Sequence, residues 1–160
     1  MSKITKLSRQ VRVAIALVGV LGFAGSALAA QPVGPGVQVV VAGSVDDAIN
    51  QLRKMVADSG MMIMGELHQG KVLSMTGLKL QSETLFVGSP TIGKDLFSAQ
   101  PGAGIVVPIR LNVYADAQGQ TVVSYIPPSE QLSAFHDAKV DMIAKMLDES
   151  FQKMVGMLGK

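Results

Sequence analysis

Apolar residues along this chain change their spacing from one segment to the next, and each change marks an element. Val37 to Val41 is a β-branched run that predicts a first strand. From there the apolar positions fall at Val45, Ala48, Ile49, Leu52, Met55 and Val56, the spacing of one helical face. Ser44 is placed to cap that helix, and Asp46 and Asp47 sit where carboxylates meet the positive end of its dipole. Gly60 supplies a stop. Met61 to His68 then predicts a second strand. Strict alternation would put Met62, Met64, Glu66 and His68 on one face, and Met61, Ile63, Gly65 and Leu67 on the other.

Beyond His68, Lys71 to Thr76 reads as a short helical turn, and Glu83 to Val87 as a third strand leaving through Gly88-Ser89-Pro90. Thr91 to Ala99 predicts a small helix broken by Gly93, and Gln100 to Gly104 a loop. Ile105 to Tyr114 and Thr121 to Ile126 form the clearest hairpin, with Gly119 at the left-handed position of its turn. Pro108 inside the first of these strands marks an edge or a bulge. After Pro127-Pro128, Ser129 is placed to cap one final helix from Glu130 towards Leu158. Its apolar stripe is Leu132, Phe135, Val140, Ile143, Leu147, Phe151, Met154 and Leu158. Helices and strands alternate too irregularly for a doubly wound fold. The expected architecture is α+β in two layers, a largely antiparallel sheet of about four to five strands packed against helices.

The N-terminus has a different chemistry. Lys3, Lys6, Arg9 and Arg12 form a basic leader, Val13 to Phe23 is unbroken apolar, and Ala27 and Ala29 fit a small-residue cleavage site. The apolar run is too short to span a bilayer, so residues 1–29 read as a cleaved signal peptide that leaves no integral span. Residues 30–36 read as a flexible linker, and 37–158 as one domain in the periplasm or outside the cell. No cysteine is present, so lipid anchoring, disulfides and thiolate chemistry all lack their residue. Four of the 14 basic residues lie in the leader, which leaves ten against 12 acidic ones, a formal charge of −2. The basic balance belongs to the leader, and nucleic-acid binding loses its electrostatic footprint.

Chemistry-bearing residues are few. His68 stands in the centre of the domain with Glu66 two residues earlier, on the same strand face at about 7 Å between Cβ atoms. A carboxylate orienting an imidazole suits acid–base work or metal ligation, and a histidine bonded to loop backbone fits the same pattern. Met62, Met64 and His68 together would be a soft donor set for Cu(I), although side chains spaced along one strand rarely converge on one ion. His136 reads as a surface residue of the last helix. Ser89 and Ser124 lack a nucleophile-elbow pattern, and Gly88 to Gly93 matches neither a P-loop nor a dinucleotide fingerprint. The methionines Met142, Met146, Met154 and Met157 read as core filler or contact surface.

The order of these landmarks resembles a bacterial and archaeal family known as domain of unknown function 302. His68 matches its strand-closing histidine, Leu85 to Pro90 its strand exit, and Gly93 its small-helix glycine. Val107-Pro108-Ile109-Arg110-Leu111 matches its proline strand, and Gly119 with Ser124-Tyr125 its hairpin. Ser89 stands where the family usually has asparagine, and Glu66 lies two residues before the histidine where an adjacent aspartate is common. The resemblance implies an α+β fold and suggests a homodimer. It brings no accepted activity, cofactor or ligand.

The residues singled out for ligand contact are His68, Glu66, Ser89 and Arg110, with no catalytic residue assigned and Cu(I) on Met62, Met64 and His68 as a variant. The expectation is a non-catalytic protein of the cell envelope that binds a small ligand or a partner. The alternative is an envelope enzyme or metal-handling protein that uses His68 with Glu66.

Overall fold

The computed structural model describes residues 35–158, so the signal-peptide reading and most of the linker fall outside the described residues. Five strands are present among them: β1 (Val37–Val41), β2 (Met62–Leu67), β3 (Ser82–Gly88), β4 (Ile109–Ala115) and β5 (Thr121–Tyr125). They form one sheet in the order β1-β5-β4-β3-β2, with each neighbouring pair antiparallel. The helices are α1 (Val45–Asp58), α2 (Gln69–Ser74), α3 (Pro90–Ala99), α4 (Pro128–Leu132) and α5 (Ala138–Leu158). The architecture is α+β, as the pattern predicts.

Helix α1 carries the chain from the β1 edge across the sheet to the β2 edge. Its start is fixed by a reciprocal capping box. Ser44 Oγ accepts the Asp47 backbone N–H at 3.1 Å, and Asp47 Oδ2 accepts the Ser44 N–H at 3.0 Å. The Ser44 hydrogen bonds hold the Asp47 carboxyl below its ordinary pKa. Its buried stripe of Val45, Ala48, Ile49, Leu52 and Val56 meets Leu85, Leu111, Val113 and Val123 of the sheet. Helix α5 closes the same layer with Ile143, Leu147 and Phe151, and the Phe151 ring lies 5.5 Å from that of Tyr125. Each such side chain, fully buried, contributes about 1.5–3 kcal/mol.

Three sequence expectations are corrected. Gly93 does not break α3, which runs unbroken with Pro90 in its first turn, where the missing N–H costs nothing. Strand β4 starts at Ile109 rather than Ile105. The chain from Pro101 to Ile105 winds as a 3-10 turn, and Pro108 has no N–H to give a sheet ladder. The final helix is two helices. Ser129 is not its cap: Pro127 and Pro128 begin α4, and the Ser129 N–H is donated to Asp148 Oδ1 of α5 at 3.0 Å. His136, exposed, then takes the left-handed conformation at φ 50° and ends the run. Asp137 restarts it. Its Oδ1 accepts the N–H groups of Lys139 at 2.9 Å and Val140 at 3.1 Å. The Val140 bond, with help from Gln100 and Lys139, holds the Asp137 carboxyl below its ordinary pKa.

Candidate functional site

The alternation expected for β2 fails at one residue. Ile63 stands opposite Val87 and Gly65 opposite Phe86, so Met64 is an extra residue in a bulge. Every side chain after it changes face. Glu66 stands opposite the fully buried Leu85 and therefore points to the helix side, while Met62, opposite Gly88, points to the open side. Met64 itself lines an apolar cavity with Ile92, Phe97 and Pro108. Met62, Met64 and His68 thus share no face, which removes the geometry expected of a Cu(I) set.

Glu66 and His68 do come together, with two partners from other elements. His68 lies just past the end of β2, at the start of α2. Its Nδ1 is 2.8 Å from Glu83 Oε2, so the carboxylate that orients the imidazole is Glu83 and not Glu66. Glu83 sits two residues before Leu85 on β3, hence on the same helix-side face. Arg53 arrives from α1. Its Nε and one terminal nitrogen donate to the two Glu66 oxygens at 3.1 and 2.8 Å, a bidentate fork, and the same terminal nitrogen reaches Glu83 Oε1 at 3.4 Å. The other terminal nitrogen donates to Asn50 Oδ1 at 3.3 Å. The Glu66 hydrogen bonds raise the Arg53 pKa above its ordinary value, with the Glu66 and Glu83 charges adding to them.

Exposure sorts the members of this cluster. The Glu83 side chain is 14% exposed and the His68 side chain 51%. Glu83 is the fixed hinge and His68 the accessible arm. Glu66, His68 and Glu83 each offer a donor atom, all within 4.8 Å of one another. A cavity of about 370 Å³ opens beside His68 and Glu83, with Ser82, Asp46 and Lys71 on its wall. Exposed ion pairs contribute at most about 1 kcal/mol each, so the Arg53–Glu66 pair adds little to the fold and can be exchanged for a ligand at low cost.

The remaining candidates lie elsewhere. Ser89 occupies the position before α3, makes no capping bond with its side chain, and borders the apolar cavity with Val87 and Leu96. Arg110 stands opposite Phe86 on the open face of the sheet. The four residues expected to share a ligand therefore divide among three places. Sequence reasoning missed Arg53 and Glu83. One signal for Glu83 was present: it alternates with Leu85 and Val87, and a carboxylate on the apolar face of a strand requires a cation or a donor.

The fold and this cluster define a two-layer α+β domain carrying a charged site where the β2 and β3 ends meet α1. The family model described as domain of unknown function DUF302 matches residues 37–158, and the chain belongs to that family. A solved structure described as uncharacterized conserved protein DUF302 from Bacillus stearothermophilus is similar at a TM-score of 0.72 and 17% identity. The match covers 76% of this chain and 96% of that one, and it establishes the shared fold. No curated protein matches the chain.

Proposed function

We propose that this chain is an exported domain of the cell envelope that binds a small ligand without transforming it. Its ligand at the charged cluster is a divalent cation of the zinc type. The observation that carries the reading is the convergence of Glu66, His68 and Glu83 donor atoms within 4.8 Å. Two carboxylates and an imidazole, two from the end of β2 and one from β3, are a borderline-to-hard donor set, suited to zinc and its neighbours rather than to Cu(I). Arg53 supports the same reading. It supplies to Glu66 and Glu83 the positive charge that an ion would supply instead. The basic leader, apolar run and small-residue site of the N-terminus support export.

The test is a competitive zinc titration of the purified protein. One ion should bind per chain, with affinity falling about 10–100-fold in His68→Ala while the melting temperature moves by less than about 2 °C. Arg53→Gln should bind zinc more tightly, because the competing cation is gone. Equal zinc affinity in the unaltered protein and His68→Ala would overturn the cation reading. Turnover of a substrate from a broad hydrolase panel, abolished by His68→Ala, would replace binding by catalysis.

A further inference from the structure

We propose that the open face of the sheet holds a second site, for a small organic acid, in which Arg110 binds the carboxylate. This site is independent of the cation site, which lies on the other face. Register across four strands places Thr84, Asn112, Ser124 and Gln38 in one row, each directly opposite the next. Arg110 is two residues before Asn112 on β4 and so lies in the neighbouring row of the same face. Gln38, Thr84, Arg110, Asn112 and Ser124 border one depression of about 420 Å³, within the size range of small-molecule sites.

The hydrogen bonds within the row decide what it can bind. Gln69 Nε2 donates to Thr84 Oγ1, which donates to Asn112 Oδ1 at 3.2 Å, and Ser82 Oγ donates to the same oxygen at 3.1 Å. The acceptor end of Asn112 is filled, so its Nδ2 hydrogens are left for the depression. The Tyr114 hydroxyl donates to Gln38 Oε1 at 3.2 Å, which leaves the Gln38 amide nitrogen free in the same way. The amide oxygens of Asn112 and Gln38 are engaged inside the row, and their amide N–H groups are left to face the depression.

Charge points the same way. Arg110 forms no ion pair among the described residues, and no carboxylate side chain borders the depression. A guanidinium fork beside amide donors matches a planar carboxylate. Tyr114, Ile126 and Pro35, which also border the depression, offer apolar surface for a short carbon skeleton. A second copy of the chain on this face would bring Arg110 no counter-charge from the row itself, since the row holds only neutral residues.

The experiment is an amide NMR titration of the purified protein with sodium benzoate, benzamide and sodium phosphate as probes. Benzoate is expected to saturate below about 10 mM and to shift the amides of Arg110, Asn112 and Ser124. Benzamide, which lacks the charge, and phosphate, which lacks the skeleton, should each bind at least about tenfold more weakly. Arg110→Gln should weaken benzoate binding at least about tenfold, with Arg110→Lys between the two. The proposal is overturned by any of four results: no saturation, benzamide or phosphate matching benzoate, shifts that follow protein concentration because a second copy covers the face, or Arg110→Gln binding like the unaltered protein. If Arg110→Gln does not fold, comparison of benzoate with benzamide on the unaltered protein decides alone.

Discussion

Two polar groups lie back to back on this sheet, and they are built oppositely. On the helix side, Arg53, Glu66, Glu83 and His68 satisfy one another, with both carboxylates tied to the guanidinium and one to the imidazole. On the open side, the row around Asn112 engages its two amide oxygens and leaves Arg110 and the amide nitrogens of Asn112 and Gln38 unpaired. The first group must release a cation to take one; the second has only to accept an anion. Both originate in one dipeptide. Glu83 and Thr84 are neighbours on β3 and, by alternation, feed opposite faces. A one-residue slip of β3 would exchange them and destroy both groups at once, so the buried Leu85 and Val87 fix the positions of both.

The largest expected effect breaks both sides together. Phe151 is fully buried against Tyr125 beneath the sheet, and Phe151→Ala should cost about 3–5 kcal/mol. Chemical denaturation should show that loss, and zinc and benzoate binding should fall in parallel as the folded fraction drops. Loss of one activity with full retention of the other would mean that the two groups do not depend on a common core.

A smaller change should separate the faces. Glu83→Gln keeps the shape of the hinge but removes the charge shared by Arg53 and His68. Its cost in stability should be about 1–2 kcal/mol, because Arg53 retains its fork to Glu66 and His68 is half exposed. Zinc binding should nevertheless be lost and benzoate binding unchanged. If benzoate affinity changes as well, the two groups communicate through β3 and the back-to-back description is wrong.

Tyr125 supplies a contrast in the other direction. Its hydroxyl is buried on the helix side with no hydrogen-bond partner, and burial, with the Asp148 charge behind it, raises its pKa. Tyr125→Phe removes an orphan polar atom and keeps the ring on Phe151. The melting temperature should rise, by an amount corresponding to roughly 1 kcal/mol. A fall on calorimetry would show that the hydroxyl has a partner, such as an ordered water.

Local signals in the sequence carried as far as local rules reach. Ser44 and Asp47 announced the start of α1, and Gly119 takes the positive φ of 77° that its hairpin turn requires. What stayed illegible depended on pairing between distant strands. The bulge at Met64 had one local signal, Gly65 inside the strand pattern, but only pairing with β3 shows that it moves Glu66 and His68 to the other face. Arg53 reads as one more polar residue of an amphipathic helix until β2 and β3 are placed under it. The break at His136 was hidden because Leu132 and Phe135 continue the periodic stripe of α5; the one hint was Asp137, a capping residue type three positions before Val140.

The smallest expected effect concerns charges that belong to neither group. Asp47, exposed, and Asp137, half-buried, are carboxylates paired with backbone N–H groups at helix starts, and both titrate below the ordinary aspartate value when the protein is folded. Their stabilisation is therefore complete above the unfolded pKa of about 4 and disappears as pH falls through the lower folded values. The melting temperature should stay level from about pH 7 to 5 as far as these two groups are concerned, then decline towards about pH 2. Asp137→Asn keeps a side-chain oxygen for the Val140 N–H but cannot titrate. It should leave the melting temperature at neutral pH nearly unchanged and make the acid decline shallower. An acid limb as steep as that of the unaltered protein would mean that Asp137 contributes nothing to it, leaving Asp47 alone of the two as a source.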